Sequence, residues 1–254
     1  MSIVGVVSMK GGVGKTSTSA NLAAAMVAKL GPDRVSVVDL DPQNALHWHF
    51  GLADDDSGGA CEQSLRSADW REGLLQSPAH VACLPFGSVS EADREAYEAL
   101  LALHPNWVGE QIARAGLSND AIVIVDSPPG PSVYLKQVFA CADLVLVVLL
   151  ADAGSYATIP AMESWLAETN NTQAGCKVFY LLNQVDRSES LNRDTAAYLR
   201  QQLRNRICPI EIHADEAVGE ALAFQQPVLD YEPHGQASVD LARLASWVID
   251  TINQ

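Results

Sequence analysis

Positive charge is scarce in this chain: 16 lysines and arginines face 31 aspartates and glutamates, giving a formal net charge of −15. Nonspecific nucleic-acid binding runs on phosphate neutralisation by Lys and Arg, so this balance argues against DNA or RNA as a partner. Net charge does not exclude a local basic patch. Long apolar runs are missing too. The longest, around Leu144 to Ala151, has the length of a buried strand and falls well short of the roughly 20 residues of a membrane helix. The first residues offer no basic region and no cleavage site, so no secretory signal is expected. Five cysteines (Cys61, Cys83, Cys141, Cys176 and Cys208) include no C-x-x-C pair and read as reduced thiols of a soluble cytoplasmic protein. His47, Trp48 and His49 form a tempting cluster. No further His or Cys sits at ligand spacing, so packed or surface histidines are expected there.

What is present is apolar and orderly. With 48% hydrophobic residues in 254, the chain can bury a sheet with helices on both faces, and one domain spanning residues 1–254 is expected. Its organising stretch is Ser8-Met9-Lys10-Gly11-Gly12-Val13-Gly14-Lys15-Thr16-Ser17, entered from the apolar run Ile3 to Val7 and left through an Ala-rich helical segment, Thr16 to Leu30. Strand, glycine turn and helix N-terminus make the setting of a phosphate-binding loop, where backbone N–H groups and the helix dipole favour anionic oxygens. Gly11, Gly12, Val13, Gly14, Lys15, Thr16 and Ser17 would line it, with Lys15 reaching the β- and γ-phosphates and the Thr16 hydroxyl ligating Mg²⁺. The usual pattern has Gly six residues before that lysine; this chain has Met9 there and a second lysine, Lys10, beside it.

Two more strand ends carry acids. Val35 to Asp39 reads as a buried parallel strand ending in Asp39-Leu40-Asp41-Pro42-Gln43. Carboxylates at i and i+2 leaving a strand can face a ligand across the C-terminal edge of an open α/β sheet. Ala121 to Asp126 is a fully apolar strand closing in an aspartate and followed by Ser127-Pro128-Pro129-Gly130. Further strands are expected at Asp143 to Leu150, at Lys177 to Leu182 (before Asn183-Gln184-Val185-Asp186) and at Ile207 to His213.

K-G-G-V-G-K-T-S, D-x-D-P-Q and D-x-P-P-G, in this order on three strand ends, resemble the deviant Walker A, switch I and switch II motifs of the ParA/MinD ATPases. The resemblance spans nearly the whole chain. It implies a P-loop fold with a doubly wound, mostly parallel sheet, ATP and Mg²⁺ as cofactors, and a homodimer that sandwiches ATP. In that family the extra lysine, here Lys10, crosses to the partner's nucleotide, with the logic of an arginine finger supplied in trans. Lys10, Lys15 and Asp41 would then be catalytic, Asp41 orienting the attacking water. Thr16, Asp39 and Asp126 would serve the metal, Gly130 would let the backbone approach the γ-phosphate, and Asn183 would read adenine. N-Q-V-D also brushes the N-K-x-D guanine motif of GTPases. Leu84-Pro85-Phe86-Gly87, and His213 to Val228 with His213 where the family commonly has proline, resemble one branch of the family. That branch is the MinD-like accessory proteins of bacterial cellulose synthesis, with small accessory and synthase-complex proteins as partners. A regulatory ATPase acting as a slow switch is the reading this supports, at the inner membrane or a cell pole only through partners. A ParA-type DNA-partition or septum-positioning ATPase is the alternative, for which Arg187, Arg193, Arg200, Arg204 and Arg206 are the best feature. A carboxylate-phosphorylating synthetase on the same fold would have no need of Lys10.

The least legible part is 44–118. A polar turn is expected at Asp54 to Gly59, helices at Ser64 to Leu75, Glu91 to Leu103 and Trp107 to Ala115, and a short strand at Val81 to Phe86. Later helices are expected at Ser155 to Thr169 and Ser238 to Ile252. Arg243 is the one basic residue of the last, so it is expected to pack on the domain and not to anchor in lipid.

Overall fold

In β1 (Ser2–Val7), β2 (Val35–Asp39), β5 (Ile122–Asp126) and β6 (Leu144–Leu150) nearly every residue is apolar, the composition of strands covered on both faces. The computed structural model, which describes residues 1–53, 58–66, 69–168 and 175–254, pairs them accordingly. With β3 (Leu75–Gln76), β4 (Ala82–Leu84) and β7 (Lys177–Asn183) they form one sheet in the order β3-β4-β2-β5-β1-β6-β7. All pairings are parallel except β3 against β4. The helices are α1 (Lys15–Leu30), α2 (Ala60–Arg66), α3 (Glu91–Leu103), α4 (Trp107–Arg114), α5 (Val133–Cys141), α6 (Ala153–Glu168), α7 (Ser190–Leu203), α8 (Ala217–Ala223), α9 (Val228–Tyr231) and α10 (Gln236–Ile252).

Strand alternation divides the interior into two cores. Val4, Val6, Ile124, Leu144, Leu146 and Val148 pack with α1, α8, α9 and α10. Their neighbours Ile3, Val7, Val123, Val125, Val145 and Val147 pack with α2 to α7. The expected α/β architecture, a mostly parallel sheet with helices on both faces, is therefore what the chain forms. Among the described residues no helix is long and apolar enough to cross a membrane. At Gly5, in the middle of β1, a Cβ would stand 2.3 Å from Val138 Cγ1 of α5. Helix and strand meet there with no room for a side chain. Overpacking of this kind costs about 1–3 kcal/mol, so Gly5→Val is expected to lower the thermal midpoint in a circular-dichroism melt.

Several expectations need correction. In place of one helix over Ser64 to Leu75 there are three short pieces: α2 begins earlier, at Ala60; a 3₁₀ helix covers Trp70–Gly73; and Leu75 opens β3. The Asp69 carboxylate, accepting from Arg71 N, starts the 3₁₀ turn and breaks the register of a continuous helix. Residues 67 and 68 of that stretch lie outside the described residues. Ile207 to His213 is no regular strand: it forms the isolated bridges Tyr180–Ile207 and Val185–His213, with one further backbone bond from Ile212 N to Leu182 O at 2.9 Å. Pro209, in the middle, has no N–H for a ladder. Asp54 to Ser57 of the polar turn, and Thr169 at the end of the α6 expectation, also lie outside the described residues.

Candidate nucleotide site

Five strand ends meet along the C-terminal edge of the sheet, where open α/β sheets take their ligands. From β1 comes the loop Ser8–Gly14, from β2 Asp39, from β5 Asp126, from β6 Asp152 and from β7 Asn183. The loop is pinned at its start, where Ser8 Oγ donates to Lys10 O and Gly130 N donates to Ser8 O, both at 2.8 Å. It finishes in the left-handed region at Gly14 (φ 81°), where a Cβ would come within 2.5 Å of Asn183 Nδ2. Only glycine fits both the conformation and the space. No side chain caps α1, so the N–H groups of its first turn are left for an anion. Lys15, 7% exposed, begins that turn.

Below the loop lies a carboxylate pair. Asp39 and Asp126 are register partners on β2 and β5, and both are fully buried. Asp126 accepts from Thr16 Oγ1 at 2.7 Å and from Ser19 Oγ at 3.0 Å. Asp39 accepts from the backbone of Asp41 and Leu46, at 2.8 and 3.1 Å. Burial raises the pKa of both. For Asp39 the charge of Asp126 adds to the rise; for Asp126 the charge of Lys15 works against it. A pair held this way gains by a nearby cation. Among the described residues no group of three or more His, Cys, Asp or Glu is arranged to hold a metal. A hydroxyl and a carboxylate facing a phosphate loop suit Mg²⁺, which takes one or two protein carboxylates together with substrate phosphates. Thr16 and Asp126 are the residues so placed. Asp39 spends its oxygens on the segment that follows β2, and through Leu46 N it ties the 3₁₀ helix Leu46–Phe50 to the site.

Asp41 is 8% exposed, with Oδ1 accepting from Gln43 N at 3.0 Å. It borders a cleft shared with Pro128 and Pro129 of the β5 loop and with Ser90 and Glu91 at the start of α3. Lys10 leans away from the loop and pairs with Asp152 at 2.7 Å, both side chains more than a third exposed. Asp152 also accepts from Ser155 N at 2.6 Å, opening α6. Burial alone would raise its pKa, but the bonds from Lys10 and Ser155 prevail and hold it below the usual carboxylate value. This partner of Lys10 lies 142 residues away. The sequence carries one signal for it, an aspartate just past an apolar strand, the pattern that marks Asp39 and Asp126.

Asn183 donates its amide to Val13 O at 2.8 Å. It lines a cavity of 230 Å³ with Gly14, Ser17, Thr18, His213 and Leu222. Asp186, the acid of the guanine-like motif, is turned aside: its carboxylate accepts from Ser188 N and Oγ at 2.8 and 2.6 Å. The arginines between 187 and 206 are largely spent on acids. Arg187 and Arg200 pair with Glu211, Arg193 with Asp194 and Arg206 with Glu163. His47 and His49 are both packed inside.

The profile of the family described as cellulose biosynthesis protein BcsQ matches residues 1–249. The BcsQ protein of Salmonella typhimurium is 28% identical over 257 residues, covering 98% of this chain and 94% of its own. Among solved structures, cobyrinic acid a,c-diamide synthase from Mycobacterium smegmatis, with a bound ATP analogue and magnesium, aligns with a TM-score of 0.77 at 20% identity over 98% and 94% of the two chains. The septum site-determining protein MinD from Pyrococcus horikoshii, complexed with Mg-ADP, gives 0.75 at 18% over 97% and 95%. These two likenesses are of fold.

Proposed function

The chain belongs to the cellulose biosynthesis protein BcsQ family, and on that footing we propose that it is an ATP-dependent accessory switch for the assembly or localisation of a cellulose synthase complex. The observation that carries this reading is the site itself: an uncapped helix N-terminus behind a glycine loop, with Thr16 bonded to a buried Asp126 and a second lysine, in the loop, whose ammonium pairs with Asp152. Lys15 neutralises the phosphates of ATP, while Thr16 and Asp126 hold Mg²⁺, which supplies charge neutralisation at the transferring phosphoryl group. Asp41 holds a water in line. Lys10 completes the site across a face-to-face pair of chains, so hydrolysis is slow until a second copy, or a partner presenting an equivalent cation, is seated. The whole chain acts as one such ATPase unit, and it meets membranes only through other proteins. The pairing of four of the five arginines in 187–206 with acids favours this reading over DNA partition.

The test is solution mass by light scattering with Mg²⁺, with and without ATP. The expected result is a doubling of mass with ATP that ADP does not produce. Failure to bind ATP at all would overturn the reading. ATP binding by a chain that stays single would leave the switch but move the second half of the site to another protein.

A further inference from the structure

We infer that His213 is the platform for the nucleotide base, contacting it through the face of its imidazole ring; this rests on the ATP reading of the loop. The 230 Å³ cavity begins at Gly14, Ser17 and Thr18 and ends at His213, Val218 and Leu222, so a ligand whose phosphates sit at the start of α1 extends its base toward that ring. The ring is clamped by its edges. Nδ1 lies 2.7 Å from Asp240 Oδ2, which also accepts from His213 N at 3.1 Å, and Asp240 is almost wholly buried. On the opposite edge Nε2 stands 3.4 Å from Glu211, itself held by Arg187 and Arg200. With Nδ1 bonded to Asp240 and Nε2 facing Glu211 at 3.4 Å, the faces of the ring are what it offers to a ligand. A flat ring fixed this way stacks with any base.

Choice among bases falls to the polar groups that line the cavity, among which Asp215 is the carboxylate. Both of its oxygens accept from backbone, Oδ1 from Ala217 N and Oδ2 from Ala237 N. The paired N–H donors of guanine meet a carboxylate already bonded in this way, and Asp186 is not among the lining residues. Asn183, its amide nitrogen spent on Val13, keeps Oδ1 as an acceptor for an exocyclic amine such as that of adenine.

The test separates the base from the phosphates. Binding of ATP and of inorganic tripolyphosphate, both with Mg²⁺, is measured by titration calorimetry for the full chain, for His213→Ala and for His213→Phe. Stacking losses on alanine substitution predict a weakening of ATP on the order of tenfold for His213→Ala, with tripolyphosphate unchanged and with His213→Phe close to wild type for both. Equal loss of both ligands, no loss of either, or a phenylalanine that fails to restore ATP would each overturn the role of the ring. If wild type bound neither ligand, the nucleotide reading itself would fall; if it bound tripolyphosphate but gained nothing from a base, only the platform would.

Discussion

Lys10→Ala is expected to keep ATP binding near the wild-type level and to cut hydrolysis by a factor on the order of 10³, the lower end for a cation supplied in trans to a transferring phosphoryl group. Binding should survive because Lys15, buried at the start of α1, and the backbone of the glycine loop are untouched. Hydrolysis should not, because Lys10 is the lysine of the loop whose ammonium is directed to Asp152, which holds it at 2.7 Å. A cation in that position adds nothing to its own chain's phosphates until it exchanges Asp152 for a different anion. Single-turnover hydrolysis at saturating ATP, with light scattering on the same samples, separates the two effects. Wild-type turnover in a Lys10→Ala chain that still pairs would remove Lys10 from the chemistry. Loss of pairing together with turnover would make Lys10 a contact of the interface first.

A second large effect is set by pH. His49 sits in the 3₁₀ helix Leu46–Phe50, 3% exposed, and burial lowers its pKa from 6.5 to about 4. Between these values the unfolded chain binds a proton that the folded chain refuses. Stability from this residue is therefore complete above pH 6.5 and is lost progressively as pH falls toward 4. The shift corresponds to about 3 kcal/mol at full extent. Other groups titrate in the same range, so the measurement is a difference: urea unfolding of wild type and His49→Leu at several pH values from 7.5 to 4. Wild type should lose the additional stability and the variant should not. Parallel curves would mean that the imidazole finds water or an acid on protonation. The bond from Leu46 N to Asp39 links the helix that holds His49 to the site.

Much of this was legible in the sequence, for identifiable reasons. β2 covers the residues expected of it and α3 runs from Glu91 to Leu103 as its pattern indicates, because a continuous apolar run and a capped amphipathic stretch each admit one solution. Ser90 Oγ, accepting from Asp93 N, supplies the cap. The loop, Asp39, Asp41 and Asp126 were legible because each closes or follows a strand whose apolar run fixes its end. Illegible were the features that depend on distant partners. β3 is two residues long and exists only because β4 runs antiparallel beside it. Nothing near Lys10 announces Asp152, and nothing near His213 announces Asp240, which comes from a helix 27 residues on. Pro209 was visible throughout. Its effect is clear only where β7 offers a neighbour that the proline cannot answer.

The margins of the sheet have a consequence for how this chain meets others. An exposed strand is a template on which foreign backbone can pair and aggregates can grow. One margin here is the two-residue β3, running against its neighbour. The other, β7, is shadowed by the interrupted stretch around Pro209, which pairs with it at isolated points. Little is left for backbone recruitment on either side. Recognition by other proteins is thereby left to side chains and loops, among them the loops that follow β1, β2 and β5 along one edge of the sheet. A molecule that hides its margins meets others through loops such as those that carry Lys10 and Asp41, while its scaffold stays silent.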